Sequence, residues 1–188
     1  MGNFNHNDHY HDFLLRQVPD GCRRALEVGC GSGTFARKLA ARGIEVDAVD
    51  RSAEMIAVAE RMPGVRYVHA DVRELDLAGY DFVSCIASLH HVPFAATVTH
   101  LRDALRPGGV LAVLGLSRPT LRDLPFGAVA FLPNRVRILL APHRDDPMPP
   151  VRDADMTWPE VRAQAAELLP GARGRRHLYF RYSLSYRA

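Results

Sequence analysis

The chain has 188 residues, enough for one domain whose core stands without disulfides or metals. Hydrophobic residues make up 47% and charged residues 24%, the proportions of a soluble globular protein and not of a disordered or membrane-embedded one. A net charge of +3 is too slight to demand a polyanionic partner, and three cysteines (Cys22, Cys30, Cys85) without a C-x-x-C exclude a disulfide scaffold.

The first residues, Met1 to His6, lack the charged-then-apolar pattern of a signal peptide. Position 6 is His where a myristoylation signal wants Ser or Thr. No apolar run approaches the roughly 18–20 residues that span a bilayer. These features predict a cytoplasmic protein without membrane insertion. Asn7 to Val18 then reads as an amphipathic helix, with Tyr10, Phe13, Leu14 and Val18 on one face and Asp12 and Arg16 opposite. Asn7 or Asp8 can cap it, and Pro19-Asp20-Gly21 ends it.

Strand and helix alternate from there. A strand over Arg24–Val28 enters a glycine-rich bend, and a helix follows through about Arg42 to Gly43. Ile44 to Val49 is a second strand ending at Asp50, and Ser52 caps a helix from Ala53 to about Arg61. Val65 to His69 is a third strand, ending at Ala70-Asp71, and Phe82 to Ile86 a fourth. A helix over Pro93–Leu105 leads through the turn Arg106-Pro107-Gly108-Gly109 to a fifth strand, Val110 to Leu116. Such alternation predicts a parallel sheet covered on both faces.

Ser117 to Pro150 breaks the rhythm with seven prolines and two apolar blocks, and reads as a lid inserted over the strand ends. A last helix runs from Trp158 to Leu169, with Thr157 as its cap and Pro159 in its first turn. The tail alternates, with Phe180, Tyr182, Leu184 and Tyr186 on one face and Arg181, Ser183, Ser185 and Arg187 on the other. With Arg175 to Leu178 before it, this predicts an antiparallel hairpin closing the sheet edge. Arg173, Arg175, Arg176 and Arg181 read as its solvated face, since no aromatic-interleaved platform for nucleic acid accompanies them.

The chemistry concentrates at strand ends. In Glu27-Val28-Gly29-Cys30-Gly31-Ser32-Gly33-Thr34 the spacing is G-x-G-x-G, and Thr34 stands where a dinucleotide fingerprint would place its last glycine. That departure favours a nucleoside cofactor without a pyrophosphate. Asp50, about twenty residues on, is placed to accept both hydroxyls of a ribose. Asp71 can accept from an exocyclic amino group such as that of adenine. Three successive strand ends thus converge on one edge of the sheet.

The runs LEVGCGSGTFARKLA, VDAVDRSAEMIAVA, VHADVREL, YDFVSCIASLHHVPF and LRPGGVLAVLGL together resemble the class I S-adenosylmethionine-dependent methyltransferases. The likeness is strongest to the small-molecule branch of the ubiquinone/menaquinone biosynthesis type, and it covers about Arg24 to Leu116. It implies a Rossmann-like seven-stranded sheet, mostly parallel, with the antiparallel hairpin last, in a single domain capped by residues 1–20. Its cofactor would be S-adenosyl-L-methionine, leaving S-adenosyl-L-homocysteine. Position by position, Glu27 and the bend Gly29-Cys30-Gly31 with Gly33 would contact the methionine moiety. Asp50 would hold the ribose, with Arg51 and Met55 near the adenine. Asp71 and the N–H of Val72 would read the adenine edge, and Ala87 and Ser88 would pass beside the sulfonium. Tyr10 or His11, on the cap helix, would approach the cofactor carboxylate.

Ser88-Leu89-His90-His91 lies where substrate and cofactor meet in that family. It lacks the Pro-Pro-aromatic signature of nucleic-acid amino-methyltransferases, so no nucleic-acid partner is expected. His91 or His90 can serve as general base toward a hydroxyl or amine, the alternative being that one only caps the next helix or packs under the cofactor. His6, His9 and His11 lack the cysteines or carboxylates that would complete a metal site, and none is expected. The expected partner is a small-molecule methyl acceptor, with the chain a monomer or homodimer. Two other functions stay open: a cofactor-binding protein of this fold without methyl transfer, or an RNA-modifying methyltransferase. A nicotinamide oxidoreductase wants a glycine at position 34 and a Tyr-x-x-x-Lys pair, and the sequence has neither.

Overall fold

A computed structural model describes residues 10–120, 154–177 and 181–188. The chain opens on a short helix, α1 (His11–Leu15), and then alternates: β1 (Arg24–Val28), α2 (Thr34–Ala40), β2 (Glu45–Asp50), α3 (Ala53–Val58), β3 (Val65–His69) and β4 (Tyr80–Ile86). α4 (Phe94–Asp103), β5 (Leu105–Leu116), α5 (Trp158–Leu168), β6 (Arg173–Arg176) and β7 (Arg181–Arg187) complete it. Seven strands form one sheet in the order β3-β2-β1-β4-β5-β7-β6. The first five are mutually parallel, and β7 runs antiparallel to both of its neighbours. The predicted Rossmann-like α/β sheet with an antiparallel hairpin at its end is the observed fold.

Both faces are covered, and the central strands are mostly apolar for that reason, with Glu27 and Ser84 as buried polar exceptions. On one face Val98, Leu101, Val161, Ala165 and Leu169 of α4, α5 and the residue after it pack on Leu26, Val83, Leu111 and Val113. On the other, Leu14, Leu15, Phe35, Leu39 and Ile56 from α1, α2 and α3 pack on Ala25, Phe82, Ala112 and Leu114.

Local chemistry sets the boundaries, and several differ from those the sequence predicts. α2 stops at Ala40 because the next three residues tighten into i→i+3 bonds (Arg42 N–H to Leu39 at 2.9 Å, Gly43 N–H to Ala40 at 2.8 Å). α3 is also short: the backbone turns extended at Ala59, and the Tyr67 hydroxyl donates to the Glu60 carbonyl at 3.0 Å. α4 ends at Asp103, so Leu105 belongs to β5, where it pairs with Tyr80. The expected turn at 106–109 is instead a bulge within that strand, since the next partner pair is Phe82 with Val110. β6 lies two residues earlier than predicted, over Arg173–Arg176.

The sequence assignment of faces fails at both chain ends. On α1 the buried residues are His11, Leu14 and Leu15, whereas Tyr10 and Phe13 are partly buried at its edge. On β7 the supposedly solvated face is covered, with Ser183 5% exposed and Arg181 half-buried. The chain just after α1 reaches that face: the Ser185 hydroxyl donates to Gln17 Oε1 at 3.1 Å. The lid expected over 117–150 falls mostly outside the described residues, as do Asn7, Asp8, His6, His9, Leu178 and Phe180.

Candidate active site

β1 delivers the glycine bend to the C-terminal edge of the sheet. Gly29, Gly31 and Gly33 all adopt positive φ, 68°, 54° and 76°, which an L side chain resists. A Cβ placed on Gly31 would meet nothing within 4 Å, so this N–H-bearing turn faces open space. That N–H is held from behind: Gly31 donates to Asp50 Oδ2 at 2.8 Å, and Ser52 N–H donates to Asp50 Oδ1 at 2.8 Å. One carboxylate therefore ties the tip of β2 to the tip of β1. Each of its oxygens keeps a further lone pair for an outside donor such as a ribose hydroxyl.

Glu27 sits one strand residue before the end of β1 and is only 3% exposed. Burial pushes its carboxyl up to about 8, against the lowering effect of the Ala36 backbone N–H. Its Oε2 has no hydrogen-bond partner among the described residues. A buried carboxyl oxygen beside an open glycine cradle fits a cationic amino group, the end that S-adenosylmethionine presents in the expected orientation. Cys30, in the same bend, is buried, and desolvation raises its thiol pKa so far that it stays an uncharged spacer.

The residues expected on the adenine side lie at and just past the tips of β2 and β3. Asp71 caps the 3₁₀ turn Val72–Glu74, and Arg73 grips it from Nη2 at 2.6 Å and from Nε at 3.0 Å. Hydrogen bonds from Arg73, with Arg51 Nη1 at 3.9 Å beyond, hold Asp71 down to about 2 despite some desolvation. Arg73 was not foreseen, and it engages the carboxylate assigned to the adenine amino group. Val72 is buried, and its carbonyl accepts from His100 Nε2 at 3.0 Å. Met55 lies in the first turn of α3, where its N–H donates to Ser52 Oγ at 3.2 Å.

The tip of β4 closes the site from the other side. Ala87 has φ 51°, the one non-glycine among the described residues in the left-handed region, and its N–H donates to Leu114 at 2.7 Å. Ser88 Oγ donates to the Val28 carbonyl at 2.8 Å, locking β4 to β1. The 3₁₀ turn Leu89–His91 follows, with the His90 and His91 rings 4.0 Å apart. Burial, aided by His91, pushes His90 down to about 4, so its imidazole is neutral at physiological pH.

Tyr10 and His11 diverge. His11 is buried against Phe35, with ring centroids 5.0 Å apart and its Nδ1 3.1 Å from Lys38 Nζ. Tyr10 turns toward the hairpin and meets the His177 ring edge-on at 5.2 Å. Among the described residues no three His, Cys, Asp or Glu side chains group as metal ligands, and no helix is long and apolar enough to cross a membrane.

This constellation has counterparts in known proteins. A family model described as a methyltransferase domain matches residues 25–109. A protein of Mycobacterium tuberculosis (strain ATCC 25618 / H37Rv), described as an uncharacterized methyltransferase, is 36% identical over 195 residues, 98% of this chain and 97% of its own. The chain belongs to the S-adenosylmethionine-dependent methyltransferases. A ubiquinone biosynthesis O-methyltransferase of Xylella fastidiosa (strain 9a5c) is 35% identical over 117 residues, 57% of this chain and 47% of its own. Among solved structures, S-adenosylmethionine-bound CalS10, an amino pentose methyltransferase from Micromonospora echinaspora, superposes with TM-score 0.52 and 30% identity. It covers 58% of this chain and 50% of its own. The methyltransferase fold and its cofactor therefore agree with the open glycine cradle and the buried Glu27.

Proposed function

We propose that this methyltransferase acts on a small-molecule acceptor, with Glu27, Gly29, Cys30, Gly31, Gly33, Asp50, Arg51, Met55, Asp71, Val72, Ala87, Ser88 and Tyr10 forming its cofactor surface. The observation that carries the reading is the junction of β4 with β1: Ser88, bonded to Val28, is followed at once by the paired imidazoles of His90 and His91. Nucleophile-facing groups thus stand beside the cradle with no intervening element.

When bound, the cofactor supplies a methyl group on a sulfonium, whose departure as a neutral thioether needs no acid. What remains for the protein is alignment and exclusion of water. Glu27 fixes the amino end, Asp50 the sugar, and the Gly31 backbone lets both approach without a side chain in the way. A hydroxyl or ammonium acceptor must lose a proton. His90, held neutral by burial down to about pH 4, is too weak a base for that near neutrality. The base role therefore goes to His91, with His90 as an uncharged wall that keeps the site dry. Two features support a small acceptor: the absence of a Pro-Pro-aromatic run after β4, and the ubiquinone biosynthesis O-methyltransferase among the relatives.

The test pairs binding with turnover. Calorimetry with S-adenosylhomocysteine should give saturable heat that weakens at least about tenfold in Asp50→Ala, which strips acceptors from two backbone N–H groups and the ribose. Incubation with isotopically labelled S-adenosylmethionine and a metabolite extract should label small molecules and leave RNA unlabelled. Labelled RNA, or tight binding with no labelled product, would overturn the proposal.

A further inference from the structure

The glycine bend rests on a side chain from two strands away. In register across the sheet, Glu27 of β1 lies beside Ala48 of β2, and Ala48 beside Tyr67 of β3. The three share the face covered by α2, and the middle position holds only a methyl group. The end of the Tyr67 ring reaches Gly33, the residue that opens α2. A Cβ on that glycine would fall within forbidden distance of Oη, Cε1 and Cζ of the tyrosine.

The ring is tethered at this place. Its hydroxyl donates to the Glu60 carbonyl at 3.0 Å, and the Arg61 guanidinium covers it 5.1 Å from the ring centre. The Glu60 carboxylate meets Arg37 Nε at 3.7 Å, and Arg37 Nη1 donates to the Ser32 carbonyl at 2.7 Å. From Gly33 through Tyr67, Glu60 and Arg37 to Ser32, these contacts close a loop around the bend. The ion pair contributes little, since the Glu60 side chain is 80% exposed. The packed ring is the firmer member.

A backbone with three glycines in five positions has much conformational freedom to lose, and a ligand that has to order it binds more weakly. Here two braces order it beforehand: the Asp50 carboxylate on the Gly31 N–H, and the Tyr67 ring against Gly33. Resting on the cofactor surface proposed above, we propose that Tyr67 is a positioning residue for S-adenosylmethionine. It acts through Gly33 and fixes the bend in its binding shape before the cofactor arrives. The ring does this by filling space, and the hydroxyl only tethers it.

The full chain and its variants are titrated calorimetrically with S-adenosylhomocysteine, at a temperature where circular dichroism shows each to be folded. Tyr67→Leu, which keeps apolar bulk but removes the ring, should weaken binding at least tenfold. Tyr67→Phe should stay within threefold of wild type, and it serves with Gly33→Ala if the Leu variant does not fold. Val65→Ala, two residues earlier on the same face of β3, is the packing control: its unfolding midpoint should fall while its affinity stays within twofold. Gly33→Ala should weaken binding at least tenfold in the wild-type and Tyr67→Phe proteins, and by a smaller factor in Tyr67→Leu, where the obstructing ring is gone. Wild-type affinity in Tyr67→Leu, an equal loss in Val65→Ala, or an undiminished Gly33→Ala effect once the ring is removed overturns the proposal. If Tyr67→Leu does not fold, wild-type affinity in Gly33→Ala with the Phe ring present does so. Absence of heat in the wild type would overturn the cofactor reading itself, whereas wild-type heat with an unmoved Tyr67→Leu removes only the role of Tyr67.

Discussion

Gly29 and Ser88 stand so close that a Cβ on the glycine would fall within forbidden distance of both Cβ and Oγ of the serine. The Ser88 hydroxyl spans that gap to the Val28 carbonyl at 2.8 Å. The Ser88 side chain at the tip of β4 therefore fills the space beside the tip of β1, and the site has its shape only because position 29 lacks a side chain.

Gly29→Ala should destabilise the protein by about 2–4 kcal/mol, combining overpacking with a strained positive φ. Ser88→Gly removes the obstructing atoms, so the double variant should recover the packing part and keep a residual loss of about 1 kcal/mol from φ. Urea unfolding of the four proteins measures this; additive losses would contradict the contact.

Glu27 links cofactor binding to protons. Its folded pKa, about 8, lies above the usual carboxylate value, so its stabilising contribution is fully present below about pH 4.5 and is lost as pH rises toward 8. The cofactor-free wild type should thus lose stability over that window relative to Glu27→Gln. An ammonium group seated against Glu27 favours its ionised form, and binding at pH 7 should release up to about one proton. Calorimetry in buffers of different ionisation enthalpy reads the release directly.

The sign at His90 is opposite in pH. Its folded pKa of about 4 lies below the ordinary imidazole value near 6.5, so stability is present above 6.5 and falls as pH drops toward 4. His90→Phe should flatten that acid limb of the denaturation profile. His91→Ala should lower kcat by about 10²-fold with little effect on S-adenosylhomocysteine affinity, and a larger loss in the His90 variant would move the base assignment there.

Ala87 offers a test of strain. Ala→Gly ordinarily costs about 0.5–1 kcal/mol in chain entropy, but here glycine also relieves a left-handed φ worth about 1 kcal/mol or more. Ala87→Gly should therefore leave the denaturation midpoint nearly unchanged, whereas Ala87→Val, β-branched at the same φ, should lower it clearly.

The order of strands and helices, the glycine bend, and the carboxylates at the ends of β1, β2 and β3 follow from the sequence alone. Their signals are local: apolar runs of strand length, a Ser52 cap whose hydroxyl accepts the Met55 N–H, and glycines where only positive φ serves. Tertiary structure decided what depends on elements distant in sequence. Gln17 meeting Ser185 across 168 positions and Ser88 meeting Gly29 across 59 leave no periodicity to read. Side-chain burial on a strand is set by whatever packs over it, and Gln17, which meets Ser185, precedes β7 by more than 160 residues.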